Sequence, residues 1–375
     1  MVAGEASGDA LGSHLMAALR ARVPDAQFFG IGGPKMLAAG FDSWFLQEKL
    51  AVRGIVEVLR HYREIKAIRN ALERRLLAER PALFVGIDAP DFNLGLEGRL
   101  KAAGVTTAHY VSPTVWAWRA GRLRSIRRSV SHMLVLFPFE EAIYREAGIP
   151  VTYVGHPLAD SIADENDRSA TRAQLRLPIE GRIVALLPGS RQSELDYLSD
   201  LFIATAKLIL QSQPQCRFLV PLATRETRAL FEAALYRNHA ADLPITPLFG
   251  HAQDAIVAAN AVLVASGTAT LETALLRRPM VIAYRLSPIT HAIARRLVRT
   301  PWIGLPNILA GAFVVPEFLQ DEATAENLAQ ATLNLLADEY VLKQLPKTFS
   351  QLHAMLKCDA AERAAEALLP LLGRT

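Results

Sequence analysis

The residues best suited to catalysis or ligand binding directly follow apolar runs. If these runs are strands of a parallel sheet, the residues lie together at one edge of it. Ser266-Gly267-Thr268 separates such a run from a helical pattern. A glycine turn at a helix start leaves backbone N–H groups free, and these groups bind anions such as phosphate. Glu272 lies within about one turn of this helix start, near enough to reach a ligand held there. The alternative is an ordinary strand–helix turn with Thr268 or Thr270 as its cap.

A second turn of this kind, Pro188-Gly189-Ser190-Arg191, also follows an apolar run. Glycine allows close backbone approach, and a guanidinium can donate two parallel hydrogen bonds to phosphate oxygens. We therefore interpret Ser190 and Arg191 as a second anion site. The sequence has neither a Walker motif nor a dinucleotide fingerprint, and no D-x-D motif or His cluster offers a site for a divalent metal. Arg191 and the two helix starts would instead hold a departing diphosphate, with no metal and no cofactor.

Asp88 directly follows a predicted strand, Ala82–Ile87. Carboxylates at the carboxyl ends of open parallel sheets face the ligand crevice, where they can take a proton from an attacking hydroxyl. We predict that Asp88 is a catalytic base and that Asp91 caps the next helix, Leu94–Ala103. A capping role for Asp88 itself is the alternative.

Two further loops carry polar residues of interest. Glu5, Ser7 and Asp9 follow a first strand, Met1–Ala3, and either hydrogen-bond sugar hydroxyls or cap the following helix. A strand of three residues is unusually short, so we expect the native start to lie upstream. Asn307, in a proline-rich loop, offers both a hydrogen-bond donor and an acceptor. Glu317 is predicted to lie near a helix start, and Ala323–Leu336 and Tyr340–Leu369 are predicted to be closing helices.

Residues 55–77 predict an amphipathic helix that is rich in arginine. A helix that covers a sheet and exposes its charged face explains this pattern, but a basic amphipathic helix can also lie in an anionic lipid interface. The predicted membrane contacts are Val56, Val58, Leu59, Tyr62 and Ile65. Trp116 and Trp118 precede an arginine run without acids, a pattern that suits lipid headgroups, phosphate or single-stranded nucleic acid.

Composition indicates a globular protein of more than one domain. The chain has 375 residues, 51% hydrophobic and 21% charged, with a net charge of +4, and no apolar run approaches the roughly 20 residues of a membrane span. No secretory signal is apparent. Cys216 and Cys358 show no metal-type spacing, so we expect reduced, inert thiols in a cytosolic protein.

Alternation of short apolar strands with helices predicts an α/β fold with two Rossmann-like, doubly wound domains facing across a cleft. We place an acceptor- and membrane-facing domain at 1–159, a nucleotide-binding domain at 160–340, to which the resemblance described below assigns a UDP-sugar, and closing helices at 341–375. A nucleotide on one side and an acceptor on the other are typical of a metal-independent glycosyltransferase of the GT-B type.

Eight motifs, in order along almost the whole chain, resemble the lipid-A-disaccharide synthase family. They are Gly4-Glu-Ala-Ser-Gly-Asp, Gly54-Ile-Val-Glu-Val, Gly86-Ile-Asp-Ala-Pro-Asp-Phe-Asn, Val111-Ser-Pro-Thr-Val-Trp-Ala-Trp, Gly155-His-Pro, Leu187-Pro-Gly-Ser-Arg, Ser266-Gly-Thr-Ala-Thr-Leu-Glu and Leu305-Pro-Asn. The clearest departure is the short amino end, where the family has a longer first strand.

The resemblance implies an inverting transferase that joins UDP-2,3-diacylglucosamine to 2,3-diacylglucosamine 1-phosphate, forming a β(1→6) disaccharide and UDP in lipid A biosynthesis. It implies Asp88 as the base, Arg191 and Ser266–Thr268 at the diphosphate, and Glu272 at the ribose. Asn307 would complete the nucleotide pocket. Glu5 would touch the acceptor sugar.

The resemblance also implies a location at the cytoplasmic face of the inner membrane, and homodimers that exchange carboxy-terminal segments. No nucleic acid partner is expected. Two rival functions remain at this point: a UDP-sugar epimerase of the same fold, and a non-catalytic protein that binds anionic lipid or RNA through the arginine run. Steeply salt-dependent RNA binding would favour the latter.

Overall fold

The computed structural model describes residues 1–50, 55–115, 120–286 and 300–373, without the side chains of 55–62 and 120. The chain forms two compact units. The first contains Met1–Asp160 and Leu356–Thr375, and the second contains Ser161–Met355. The first boundary lies one residue from the predicted position, and the chain returns to the first unit at Leu356, within the predicted closing helices.

The first unit is built on a parallel sheet in the order β1-β4-β5-β6-β7. A short parallel pair, β2 and β3, adjoins β1 through a bridge between Val2 and Ile31. Most of these strand residues are buried, as expected for a parallel sheet that helices cover on both faces. The strands are β1 (Val2–Ala3), β2 (Phe29–Gly30), β3 (Asp42–Ser43), β4 (Phe84–Ile87), β5 (Thr107–Tyr110), β6 (His132–Val135) and β7 (Val151–Tyr153).

Helices of the first unit pack on both faces of this sheet. One apolar cluster joins β4 and β5 to α1 and α16, and a second joins the opposite face to α3 and α4. These helices are α1 (Ala6–Arg22), α2 (Pro34–Ala38), α3 (Ile55–Glu79), α4 (Pro90–Ala102), α5 (Leu123–Ser129), α6 (Pro138–Glu146), α7 (Pro157–Ser161) and α16 (Ala360–Leu368).

Helix α16 returns from the far end of the sequence to pack on α1. Arg22 of α1 forms ion pairs with Glu362 and, at 2.9 Å, with Glu366. Ala364 and Leu368 are fully buried in the same apolar cluster as the sheet. The first unit therefore completes its core with residues that follow the entire second unit.

The second unit has a parallel sheet in the order β10-β9-β8-β11-β12-β13. Counted within the unit, this is the 3-2-1-4-5-6 order of a Rossmann fold, in which the order reverses between β8 and β11. The strands are β8 (Ile183–Leu187), β9 (Arg217–Leu222), β10 (Ile245–Phe249), β11 (Ala261–Ala265), β12 (Met280–Tyr284) and β13 (Glu317–Leu319).

Helices alternate with these strands, as a doubly wound sheet requires. They are α8 (Arg168–Gln174), α9 (Gln192–Ser212), α10 (Arg225–Arg237), α11 (Ala252–Ala258), α12 (Thr268–Leu275), α13 (Leu305–Ala310), α14 (Ala325–Ala337) and α15 (Glu339–Leu356). No helix in the described ranges is long and apolar enough to cross a membrane.

Three sequence-based assignments differ from the structure. Glu317 begins the edge strand β13 instead of a helix. The predicted closing helix Tyr340–Leu369 is two helices, because the chain breaks at Asp359, whose φ is +54°. Helix α4 begins at Pro90, four residues before the prediction, since the fixed φ of proline suits the first helical turn.

Candidate active site

In the first unit, two predicted site loops leave adjacent strands at the point where the strand order reverses. Strand β1 pairs with β4, with Ala3 opposite Ile87. The loop after β1 carries Glu5, and the loop after β4 carries Asp88. The carboxyl ends of strands at such a reversal form the ligand crevice of open α/β sheets. Gly4 is required there, because a Cβ at this position would lie 2.7 Å from the Cβ of Ala89.

Asp88 occupies a tightly defined turn between β4 and α4. Its backbone N–H donates to the carbonyl of Tyr110 at 2.8 Å, so it extends the sheet by one residue. Its φ is +53° and that of Ala89 is +42°, the left-handed region that costs non-glycine residues free energy. Strain of this kind clusters at functional sites. The residue is half-buried at the strand end.

Asp91 does not cap α4. The residue at the N-cap is Ala89, which has no side-chain capping bond, and Asp91 lies inside the first turn. Its carboxylate accepts a hydrogen bond from Arg122 Nη2 at 2.5 Å. The early helix start at Pro90 is the physical reason, because it moves Asp91 past the capping position.

The loop after β1 divides its polar residues between two roles. Asp9 is buried, and its carboxylate accepts the backbone N–H groups of Gly33, Lys35 and Met36 at 2.9–3.0 Å. Asp9 therefore holds the start of α2 and is unavailable to a sugar. Glu5, at the N-cap of α1, and Ser7, exposed in its first turn, stay the acceptor-binding predictions.

Gln47 is a residue of this site that the sequence analysis missed. Its Nε2 donates to the carbonyls of Ala3 and Glu5 at 3.1 and 2.8 Å. The amide thereby fixes the backbone on both sides of Gly4. No local pattern in the sequence indicates this role, because Gln47 lies more than 40 residues from its partners.

In the second unit, both predicted anion loops also lie at the strand-order reversal. Strand β11 pairs with β8, with Val264 opposite Leu187. The loop with Ser190 and Arg191 follows β8, and Ser266-Gly267-Thr268 follows β11. The topology thus brings together at one edge of one sheet two loops that are 75 residues apart in sequence.

The backbone at the start of α9 already has an anionic partner. Glu194 Oε2 accepts the N–H groups of Ser190 and Arg191 at 2.9 and 3.2 Å, and its Oε1 lies 3.3 Å from Arg191 Nη1. Gly189, with a φ of +124°, makes room, because a Cβ there would collide with the Glu194 carboxylate. The expectation that this helix start holds a diphosphate needs correction: the guanidinium of Arg191, 62% exposed, is the group that faces solvent.

No carboxylate among the described residues occupies the start of α12 in this way. Its N-cap is Gly267, without a side-chain capping bond, so neither threonine caps the helix. Thr270 is buried and donates to the carbonyl of Gly267 at 2.8 Å. Gly267 and Thr268 are exposed, whereas the N–H of Thr270 donates to the carbonyl of Gly267 at 3.1 Å. The N–H groups of Thr268 and Ala269 precede the first intrahelical bonds, as an anion site requires.

The remaining two nucleotide-site candidates differ in accessibility. Glu272, one turn into α12, is partly exposed and accepts a hydrogen bond from Gln253 at 3.0 Å. Asn307 is fully buried: its amide donates to Val315 and Glu317, and its oxygen accepts two backbone N–H groups. Its side chain stabilises its own loop, so any contribution to a nucleotide pocket would come through the loop backbone.

The membrane predictions fall mostly outside the described side chains. This applies to Val56, Val58, Leu59 and Tyr62, and Trp116 and Trp118 lie outside the described residues. Ile65 is partly buried and packs against the cluster of α3, α4 and β4. Ile65 therefore contributes to the core of the first unit.

No group of three or more His, Cys, Asp or Glu side chains in the described parts of the chain is arranged to hold a metal ion. Cys216 and Cys358 form no disulfide, and burial raises the pKa of Cys216 to about 11.

Comparison with known proteins gives the family. The family model described as lipid-A-disaccharide synthetase matches residues 1–368. The chain is 57% identical, over 375 residues, to the lipid-A-disaccharide synthase of Aromatoleum aromaticum, covering 100% of this chain and 96% of that protein.

Solved structures give the fold. HepE from Anabaena, solved with UDP and glucose, has a TM-score of 0.58 at 15% identity, with 98% of this chain and 97% of that chain covered. WaaG, described as a glycosyltransferase of lipopolysaccharide biosynthesis, has a TM-score of 0.55 at 14% identity, with 94% and 93% covered. At such identities the likeness shows the fold alone, and it confirms the predicted GT-B class. The family match then shows that the chain belongs to the lipid-A-disaccharide synthetase family of GT-B glycosyltransferases.

Proposed function

We propose that this hexosyltransferase condenses UDP-2,3-diacylglucosamine with 2,3-diacylglucosamine 1-phosphate to give the β(1→6) disaccharide 1-phosphate and UDP. The match to the family model over residues 1–368 is the observation that carries this proposal. The family membership itself implies a UDP-sugar donor and a sugar acceptor. The acyl groups and the linkage are the finer part of the proposal.

Asp88 is proposed as the base. Its carboxylate takes the proton of the acceptor 6-hydroxyl while that oxygen attacks the anomeric carbon of the donor. The bond from this carbon to the diphosphate oxygen breaks, UDP leaves with the electron pair, and the configuration inverts. The position of Asp88 at the strand-order reversal of the first unit supports the assignment, as does the left-handed turn that fixes its backbone.

The second unit is proposed to bind the UDP part of the donor. Arg191 would donate to the diphosphate, and the uncapped start of α12 at Ser266–Thr268 would stabilise the charge that develops on it. Glu272 is placed to accept hydrogen bonds from ribose hydroxyls. The loop that Asn307 orders, and Ser190 beside Arg191, complete this set, while Glu5 and Ser7 belong to the acceptor side.

The proposal includes an encounter with lipid, because both substrates carry acyl chains. A basic, amphipathic α3 would bring the enzyme to the cytoplasmic face of the inner membrane as a peripheral protein. The proposal also includes a homodimer in which α16 packs on the α1 of a second copy, through the contacts that the two helices make within one chain.

The decisive experiment supplies both diacyl sugars to purified protein and looks for the disaccharide by mass spectrometry. Product at equal rates with and without a chelator is expected. UDP-N-acetylglucosamine is the control donor: release of epimerised sugar from it, with no disaccharide from the diacyl pair, would replace the transferase assignment with an epimerase.

A further inference from the structure

A buried polar cluster lies directly beneath the Asp88 turn. Its members are Asn93 and Glu97, one turn apart on α4, and His109 on β5, and all three are fully buried. Gly86 of β4 lies opposite His109 in the sheet register. A Cβ at residue 86 would collide with Glu97 Oε1 and lie 2.9 Å from the Asn93 Cβ, so the absence of a side chain lets α4 bring both polar groups down onto the strand.

Glu97 and His109 form a hydrogen-bonded pair inside the domain. Nδ1 of His109 lies 2.7 Å from Oε1 of Glu97, and burial raises the pKa of the Glu97 carboxyl while the histidine opposes this rise. Breaking a buried polar pair by removing one partner is costly, whereas an apolar pair of the same shape would be cheaper to bury. Filling this space with the Glu97–His109 pair therefore costs more free energy than filling it with apolar side chains.

Asn93, one turn before Glu97 on α4, binds the strand end. Its Nδ2 donates to the carbonyl of Asp88 at 2.8 Å, with longer contacts to the carbonyls of Val2 and Ile87 at 3.3 and 3.4 Å. One amide thus holds the ends of both strands that flank the reversal. Because Asn93 and Glu97 are four residues apart, they share one face of α4 and pack on the same glycine.

The contact to Asp88 falls where the backbone most needs support. Asp88 and Ala89 both have positive φ, and such conformations persist only where surrounding contacts determine them. The Asn93 amide supplies such a contact, because its Nδ2 donates to the Asp88 carbonyl.

We propose that Asn93, backed by the Glu97–His109 pair, is a positioning residue that sets the orientation of the Asp88 carboxylate for proton removal. This inference rests on the proposed role of Asp88 as base. None of the three cluster residues would touch substrate; they would act through the backbone of the Asp88 turn.

The test measures kcat, KM for each substrate and the dissociation constant of UDP in Asn93→Ala, Glu97→Ala and Glu97→Gln. Asn93→Ala is expected to lower kcat by about 10- to 100-fold, since small displacements of reacting groups have effects of that size. KM and UDP binding should stay within about twofold. Glu97→Ala should lower kcat about tenfold, and Glu97→Gln, which retains a hydrogen bond to His109, should recover most of it.

Asn260→Ala is the matched control. This asparagine accepts from Arg172 and from the backbone of Ile183 in the second unit, so its loss removes comparable bonds far along the chain from Asp88. It should lower stability without lowering kcat per folded molecule. If Asn93→Ala behaves in the same way, the positioning role is wrong. If Asn93→Ala does not fold, Glu97→Ala against Glu97→Gln carries the same comparison.

The outcomes separate this inference from the proposed function. Full turnover in Asp88→Asn would remove the base assignment itself. An inactive Asp88→Asn together with an unchanged Asn93→Ala would overturn the positioning role alone. In a double-mutant cycle, Asn93→Ala and Glu97→Ala should be non-additive in kcat, because both act through one contact; simple additivity would contradict the proposal.

Discussion

Glu194 forms a closed ring with Arg191: one carboxylate oxygen accepts the arginine's backbone N–H at 3.2 Å, and the other lies 3.3 Å from its guanidinium. The carboxylate thus orders the loop and also competes with any phosphate for the same cation. A diphosphate that binds Arg191 must draw the guanidinium towards itself. This relationship leads to two predictions about nucleotide affinity.

Arg191→Ala should weaken UDP binding by roughly 10- to 100-fold, because a charge-assisted bidentate contact is among the stronger hydrogen bonds. Uridine, which lacks the diphosphate, should bind almost as before. Calorimetric titration of both ligands measures the difference. Arg182→Ala in the same unit is the control and should change neither affinity. Equal losses for UDP and uridine would place the diphosphate elsewhere.

Glu194→Gln should tighten UDP binding by a few-fold at low salt, since it removes the negative charge next to the phosphate site. The amide oxygen can still accept a backbone N–H, so the cost in stability should be near 0.5–1 kcal/mol, the range of a typical capping bond. Titrations at two salt concentrations, with thermal unfolding in parallel, check both parts. A tenfold weaker complex with unchanged stability would mean that Glu194 itself contacts the nucleotide.

Asp88→Asn should reduce turnover by about 10²- to 10⁴-fold, the usual contribution of a general base. Asparagine has the same shape, so UDP affinity and the unfolding midpoint should be unchanged. Single-turnover assays with both diacyl sugars measure the chemical step. Asp91→Asn is the matched control, because its carboxylate contacts Arg122. Retention of activity in Asp88→Asn would exclude Asp88 as the base.

Replacing Val58, Leu59 and Tyr62 with serine should move the protein from the membrane to the soluble fraction while it stays folded. The reason is that an interfacial helix binds through buried apolar area. Ile65→Ser should be made separately, since Ile65 packs at the core and its change should lower stability. Vesicle flotation and circular dichroism give the two readouts. A molten triple variant would show that those side chains belong to the core.

His156 should make the fold sensitive to mild acid. Burial lowers its pKa to about 4, although Asp160 opposes the shift, and its Nδ1 accepts the N–H of Leu158 at 3.2 Å, which the protonated ring cannot do. The unfolded chain therefore binds this proton more readily between about pH 6.5 and pH 4, so stability is lost as pH falls through that window.

The expected loss from His156 between pH 7 and pH 5 is on the order of 2 kcal/mol. Denaturant unfolding at both pH values measures it. His156→Gln should reduce the dependence on pH, whereas His14→Gln, at an exposed position on α1, should leave it as it was. An unchanged pH dependence in His156→Gln would show that other groups are responsible.

The sequence predicted the parts of this protein that depend on local pattern. Apolar runs bounded by glycine turns identified the inner strands, and their carboxyl ends identified Asp88 and the two loops of the second unit. The structure shows that these loops leave strands at the reversals of strand order, where open sheets bind ligands. The resemblance of the motifs predicted the family, which the comparison confirmed.

What the sequence could not predict depends on contacts between distant residues. The edge strand β13 is three residues long, too short for its period to be recognised. The local pattern predicts that Asp9 is a sugar ligand or a cap of its own helix, but its carboxylate holds the start of α2, 24 to 27 residues away. The contact of Glu194, in contrast, has a local signal in the sequence. Glu194 stands three residues after the N-cap, where a capping box places an acid.

The packing of α16 on α1 has a consequence for biosynthesis. Ala360, Ala364, Ala365 and Leu368 belong to the same buried cluster as β4 and β5, so the ribosome delivers the last pieces of the amino-terminal core only after some 200 intervening residues. During translation, the second unit can fold first while the nascent first unit still exposes an apolar groove along α1. During that interval, a chaperone or a neighbouring nascent chain would be able to bind the exposed groove along α1.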